Sequence, residues 1–503
     1  MRHRTIWNSD SLIDTRGRRT MAGFLVLRLL LALCVVFLFS RGGQAQDVLL
    51  EWNGHAANAI VTESQPPQPP PRGLIRLAMV HLAIYDAVNA IEGYPFTPYA
   101  VTPNVVSPTS REAAIAAAAH DVLVALFPHQ QLDLDLKYLA TLAAIPDGSA
   151  KANGIWVGQQ TAAGILSSRA NDGRDAVVPY SPGSGPGVWN PTPPGFLPAQ
   201  APEVAHVQPF TLKNPSQFRA EPPPDFFSET WVRDYNEVKA LGRATGSTRT
   251  AEQTDLARFV GDQPMLQWNR AWRNISVTKE LSLLDEARFF AMLTTASADA
   301  LIACWDSKFF YNFWRPVTAI RAGDTDGNPD TEPDLSWIGL VNAPNHPEYP
   351  AAHGCFSGAS TETLQFFFGT DESDFVMESK VAGLTNPIRH YTSFSQALQD
   401  ALDARVYGGM HYRNSTHVGA IIGKQVSHFA TSHFFRPSRG RTGKKGRGLN
   451  SRRPPGEGKG RWEFRQRPSS INGSASSPDT SGDLQSRFIG TMLVNPCLKF
   501  AGV

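Results

Sequence analysis

The chain runs to 503 residues, too long for one small domain, and its 42% hydrophobic and 18% charged content supports a sizeable core and excludes global disorder. Its formal net charge of +2 averages unlike regions: residues 1–45 hold seven Lys/Arg against two acids, residues 436–467 hold twelve against two, and residues 46–435 carry 26 basic and 39 acidic residues, a net of −13. A body that acidic excludes general nucleic-acid binding, so any anion site inside it must come from a few converging cations.

In chain order, Phe24 to Phe39 is an apolar run broken only by Arg28, preceded by Arg16, Arg18 and Arg19 and followed by the small residues up to Ala45. Residues 1–45 therefore read as a signal peptide, with Met21 as an alternative start, and the protein is expected to be secreted, in the extracellular space, the periplasm or the cell wall. An uncleaved anchor is the alternative, although the run is short for a span. No later segment is apolar enough to cross a bilayer, so no transmembrane domain is expected in the mature chain. Of the four cysteines Cys34 falls in this leader, so Cys304, Cys355 and Cys497 allow at most one disulfide.

The body reads as all-α. Leu74–Ile91 is apolar nearly all round, as a central core helix should be, and Ala113–Leu126 has the same character. Asn274 to Trp314 lacks Gly and Pro and predicts one long helix or two joined by a short turn; Thr416–Phe429 predicts another. Sustained strand alternation is hard to find. Thirteen prolines between Pro179 and Pro224 predict a long irregular connection of the kind that borders a site. It separates an N-terminal helical half, 46–225, from a C-terminal half, 226–435. The tail, 436–503, is rich in Arg, Lys, Gly and Ser, lacks apolar periodicity until Phe488, and is expected to be solvated and without order.

Three segments place polar residues where an apolar helix would not want them. In Lys308-Phe-Phe-Tyr-Asn-Phe-Trp-Arg315-Pro316 the two cations are seven apart, which predicts one shared helix face, with Pro316 ending the helix. Cations on a face fit for burial need an anion partner. In His346-Pro-Glu-Tyr-Pro-Ala-Ala-His353 two prolines lead into small residues around His353, and a helix starting there would aim free N–H groups at an anion. In Arg405-Val-Tyr-Gly-Gly-Met-His411 the glycine pair offers the break that would bring Arg405 and His411 to one point. Together these are three cations, one imidazole fit for ligation or nucleophilic attack and one fit for acid–base work, the equipment for a tetrahedral oxyanion such as phosphate or vanadate. His81 and His120 read as satisfied structural histidines.

These segments resemble the signature of the vanadium-dependent haloperoxidases and their relatives in the type 2 phosphatidic acid phosphatase superfamily: K-x6-R-P, then P-S-G-H, then S-R-x5-H. Lys308–Pro316 matches the first fully; Arg405 and His411 match the third, with Ala404 in place of Ser; Pro350 and His353 match the second at its ends. The likeness extends over about residues 47–435, including Met79–Ile91 and Asn312–Arg321. It implies an all-α fold of two four-helix-bundle-like halves, the vanadium chloroperoxidase type. It implies a vanadate cofactor ligated by the metal ligand His411, its oxygens neutralised by Lys308, Arg315 and Arg405 and contacted at Ala352, with His353 as acid–base residue and His411, Lys308 and His353 as the catalytic set. The implied reaction is oxidation of halide by hydrogen peroxide to hypohalous acid through a peroxovanadate, followed by transfer to an organic acceptor. A homo-oligomer is compatible with it, and no specific nucleic-acid partner is expected.

Two departures bear on this. Ala351 stands for the motif Ser and Ala352 for its Gly, so one hydroxyl contact to the oxyanion is lost, worth roughly 1.5–3 kcal/mol. His346 occupies a position where bromide-oxidising members have His, which inclines the reading to bromide over chloride; a His that caps the turn before Pro347 is the alternative. Trp305, one turn before Lys308, lines the halide pocket or is simply core. Two other functions stay open: an acid phosphatase with His411 as nucleophile, and a non-catalytic anion-binding relative.

Overall fold

A computed structural model describes residues 48–64 and 68–438; the expected leader, the third cysteine and all but the first three residues of the basic tail lie outside the described residues. The first helix, α1, covers 48–62. α2 (Pro70–Ile91) opens on two prolines, whose fixed φ suits a first helical turn, and buries almost every residue. α3 (Arg111–Leu126) starts at Ser110, which accepts the amide of Ala113; α4 (Gln131–Ala143) and α5 (Ser149–Ser168) follow. After the proline-rich stretch come α6 (Glu229–Leu241), α7 (Ala251–Phe259) and α8 (Pro264–Thr278).

The Gly- and Pro-free stretch resolves into the end of α8, a turn through Glu280 at φ 49°, and α9 (Leu283–Tyr311), capped by Ser282 with Asp285 and Glu286 in its first turn. The expected continuity from Lys308 to Arg315 is corrected here. α9 stops at Asn312, which takes the left-handed conformation and returns its amide to the carbonyl of Lys308. Arg315 is instead the N-cap of α10 (Pro316–Arg321), with Pro316 at its first position. Lys308 and Arg315 therefore sit on either side of a break, because Asn tolerates the αL cap and Pro starts a helix rather than ending one.

The remaining elements are α11 (Ala352–Phe368), a hairpin of β1 (Glu372–Glu378) with β2 (Ile388–Ser393), α12 (Phe394–Tyr407) and α13 (Arg413–His433). The antiparallel hairpin was not expected. Its alternation is confined to Ser373, Phe375 and Met377 on the inner face, too short to stand out from surrounding helical sequence.

α9 packs against α2 on one side and against α11 and α13 on the other, so one hydrophobic core runs from Leu49 to Phe435. The expectation that no later segment is apolar enough to cross a bilayer is corrected here: α2 and α9 are long and apolar enough, but nearly all of each is buried against other helices. α11 and α13 touch backbone to backbone, through Gly354 and Gly358 on one and Gly419 and Gly423 on the other. The proline-rich connection lies along the motif segments: Trp189 donates to the carbonyl of Asn312, Trp314 to Gly187 and Gln200 to Asn345. It borders the site, as its length and composition suggested.

Candidate functional site

The three segments meet. Trp305 and Leu301 from α9, His346, Ala352 and His353 at the mouth of α11, and Arg405 and His411 around the α12–α13 turn line one cavity of about 110 Å³. Pro70, Pro71 and Gln200 close its far wall, so the N-terminal half contributes to it as well. Lys308 and Arg315 do not line the cavity; Lys308 is hydrogen-bonded to the Pro347 and Glu348 carbonyls, and Arg315 contacts the cavity residues His346 and His411.

Each position has a local cause. α12 ends at Gly408, and Gly409 at φ 76° turns the chain so that His411 faces back toward Arg405. α11 opens at Ala352 with Ala351 as an N-cap that supplies no side-chain acceptor. Its first amides thus lack the hydroxyl partner that a Ser would give them.

The ring of His411 is fixed from both sides. Nδ1 lies 2.7 Å from Oε1 of Glu348, and Nε2 lies 3.0 Å from Nη1 of Arg315. A carboxylate beside one nitrogen and a guanidinium beside the other leave a single tautomer: Nδ1–H donates to Glu348, and Nε2 keeps its lone pair. The amide of Tyr412 also donates to Glu348. The sequence reading assigned Glu348 no role. The available signal was a carboxylate between two prolines in a segment otherwise fit for burial.

Lys308 Nζ donates to the carbonyls of Pro347 and Glu348, both at 2.9 Å, which leaves one of its three protons uncommitted. Arg315 is a cross-brace: it donates to the carbonyls of His346 and Met410 and approaches the rings of His346 and His411. Arg405 donates to Sδ of Met410, a weak acceptor, and its buried Nε has no partner among the described residues. Nε2 of His353 is likewise buried without a partner, while a backbone contact to Val260 holds the other side of its ring. His346 is buried with its ring 4.8 Å from that of Trp305.

Burial and crowding set the charges. Burial pushes the Lys308 ammonium down to about 8, Arg405 to about 9 and Arg315 to about 10. Burial first, then the neighbouring cations, hold His346, His353 and His411 well below the ordinary imidazole value, so all three are neutral. Burial raises Glu348 to about 7 against the downward pull of Arg315 and Lys308. Three buried cations therefore face one carboxylate, and unpaired buried charge of that size calls for an anion. Among the described residues no group of three or more His, Cys, Asp or Glu could hold a bare metal ion. The donor set, buried cations beside one imidazole nitrogen free to ligate, fits a tetrahedral oxyanion. Vanadate fits that description.

His81 and His120 do not belong to the site. His81 packs on Phe290 and contacts Asn53 at 2.8 Å; His120 bridges Asp121 and Asp135.

Residues 288–440 match the family model described as the VCPO second helical-bundle domain. Over 488 aligned residues the chain is 23% identical to the vanadium chloroperoxidase of Curvularia inaequalis, covering 73% of this chain and 78% of that protein. Among solved structures it is similar to the first bacterial vanadium-dependent iodoperoxidase, with a TM-score of 0.67, 24% identity, and 79% of this chain and 98% of that one covered. It is also similar to a bacterial vanadium-dependent chloroperoxidase in its apo form, with a TM-score of 0.58, 19% identity, and 71% and 92% covered. These likenesses show the fold: mostly helical, with one two-stranded hairpin among the described residues.

Proposed function

We propose that the chain is a vanadium-dependent haloperoxidase that oxidises halide with hydrogen peroxide in a vanadate-loaded cup, a reading supported by the family-model match over residues 288–440 and by the likeness to the vanadium chloroperoxidase. The observation that carries this reading is the fixed tautomer of His411 on the wall of the cavity: Nδ1–H is committed to Glu348, and the Nε2 lone pair, which accepts from Arg315, is the nitrogen left to ligate. Vanadate, when bound, would supply the electrophilic centre at which peroxide becomes reactive toward halide.

The residues around it divide the work. His411 Nε2 would ligate, exchanging its contact with Arg315 for the metal, and the freed Nη1–H of Arg315 would donate to an oxyanion oxygen. Arg405 would turn its unpartnered Nε–H, and Lys308 its remaining proton, to the same oxygens. Neutral His353, with Nε2 open, would take the proton from incoming hydrogen peroxide and return it to the departing oxygen. Trp305, Leu301, Phe356 and the prolines of the cavity wall exclude water and suit a weakly hydrated halide. In this reading the protein is exported through residues 1–45 and passes its product to an organic acceptor.

The same His411–Glu348 pair would also serve a nucleophilic histidine, which keeps phosphate-ester hydrolysis as the second reading. One comparison separates them. Purified protein with vanadate, peroxide and bromide is expected to brominate an acceptor, with chloride and iodide as parallel arms. Hydrolysis of p-nitrophenyl phosphate without vanadate, and no bromination with it, would overturn the proposal. In equilibrium dialysis His411→Ala should lose tight vanadate binding, whereas His353→Ala should keep binding and lose turnover.

A further inference from the structure

Two buried thiols behind the cup have no part in that chemistry. α9 and α11 are in contact and run antiparallel: Ser297 faces Ser360 at 3.3 Å, and further along, as numbers rise on α9 and fall on α11, the same register brings Cys304 and Cys355 together, close enough for each thiol to act on the other. Both thiols are free and fully buried, and Cys304 Sγ also lies 3.6 Å from the carbonyl oxygen of Pro350. Cys304 precedes the cavity residue Trp305 and stands one turn before Lys308; Cys355 stands two residues after His353. A covalent tie between the thiols would therefore join the two helices within one turn of a cup residue on each.

We propose that Cys304 and Cys355 form an oxidative cross-linking site, closed to a disulfide by hypohalous acid made in the cup, and that closure lowers the cup's anion affinity. The identity of the oxidant rests on the function proposed above. One thiol takes the halogen from hypohalous acid and releases water; the second sulfur then displaces halide from the first and releases a proton. The sulfur pair gives up two electrons, and the halogen ends as halide. Burial first, and the adjoining Cys304 second, hold Cys355 in the thiol form, a poorer nucleophile than the thiolate, so the first step draws on the strength of the electrophilic halogen. Met410, the soft acceptor of Arg405, is the competing target on the cup's other side.

The test adds hypobromite as a reagent to vanadate-free full-length protein, alkylates remaining thiols under denaturing conditions, and maps peptides without reduction. A 304–355 cross-linked pair with Cys497 alkylated is expected. Vanadate affinity, by equilibrium dialysis, should fall roughly tenfold, the low end of what disturbing a metal site's support costs, and recover after phosphine reduction and removal. Intact Cys304 and Cys355 beside an oxidised Met410 or Trp305, or a bridge to Cys497, would overturn the site. A cross-link with unchanged affinity would overturn the coupling. Cys304→Ala should keep its vanadate affinity after the same treatment; an equal fall would place the damage elsewhere. Because hypobromite is supplied, a missing cross-link counts against the thiol pair whatever the enzyme does. A cross-link with reagent but none with vanadate, peroxide and bromide would count instead against the halide-oxidising reading.

Discussion

Glu348 sets the cup's charge as well as the orientation of its ligand. Among the described residues it is the one carboxylate hydrogen-bonded to His411, and it lies close enough to Lys308 and Arg315 for both to pull its titration downward. Removing it has opposite effects on two quantities. Without that charge, three buried cations oppose one another uncompensated, and breaking a buried pair costs about 3–5 kcal/mol. An incoming anion then meets a more positive cup. Glu348→Gln should therefore melt well below wild type when ligand-free, and added phosphate or vanadate should raise its Tm by more than it raises that of wild type. Thermal scans with and without phosphate check this; equal ligand-induced shifts would reduce Glu348 to a packing residue. The sequence did not reveal this carboxylate because its partner, His411, lies 63 positions away and only the Gly408–Gly409 turn brings them together. The cations were legible from residue type, since a Lys or Arg in an aromatic run fit for burial is anomalous wherever the chain goes; the spacing that put Lys308 and Arg315 on one helix face failed at the break after Tyr311. Ala351 was legible as a loss, and its restoration is measurable: Ala351→Ser should stabilise the empty protein by about 1 kcal/mol as a helix cap and tighten vanadate by roughly one to two decades through a charge-assisted contact. Dialysis and thermal scans separate the two effects.

At the level of elements, periodicity gave the long apolar helices correctly and failed where local chemistry outweighed it. The break at Asn312 was hidden because Phe313 and Trp314 continue the aromatic pattern of α9; only the αL cap at Asn312, followed by Pro316, marks the stop. α4 shows another local device. It buries little beyond Leu134 and Thr141 and exposes Leu132, Leu136 and Leu139. Its link to α3 is His120, which contacts Asp121 and Asp135 at 2.8 Å and stacks on Tyr138 at 4.3 Å. Burial opposes the imidazolium, but the hydrogen bonds to Asp121 and Asp135 outweigh it and raise the His120 pKa above 6.5. A raised folded-state pKa contributes stability that is fully present below 6.5 and lost as pH climbs through the folded value. Hydrogen exchange of α4 amides, corrected for the intrinsic pH dependence, should thus lose protection as pH rises above 6.5. Asp135→Asn should flatten that loss; an unchanged slope would mean that packing alone holds α4.

Across the whole molecule, the site depends on how closely α11 and α13 approach. His353 sits in the first turn of α11, and His411 lies just before α13, so the spacing of these helices sets the distance between acid–base residue and ligand. A Cβ at Gly423 would fall 2.1 Å from the carbonyl oxygen of Cys355, one at Gly419 2.4 Å from that of Ala351, and one at Gly358 2.6 Å from that of Ala420. These neighbours are backbone and cannot rotate away. The four-residue glycine spacings at 354/358 and 419/423 are visible in the sequence, but which helix faces which follows only from the topology. Gly423→Ala gains helix propensity, about 1 kcal/mol, and loses more by forcing the helices apart, since overpacking costs roughly 1–3 kcal/mol and backbone clashes lie at the upper end. Net destabilisation is expected, with vanadate affinity falling alongside it. Gly54 is the control: nothing lies within 4 Å of its Cβ position, so Gly54→Ala should stabilise by roughly 0.5–1 kcal/mol and leave vanadate affinity unchanged. Urea midpoints and dialysis on the two variants decide the matter. If Gly423→Ala lost stability while binding vanadate as tightly as Gly54→Ala, the cup would be held by Arg315 and Glu348 alone and not by the seam between the helices.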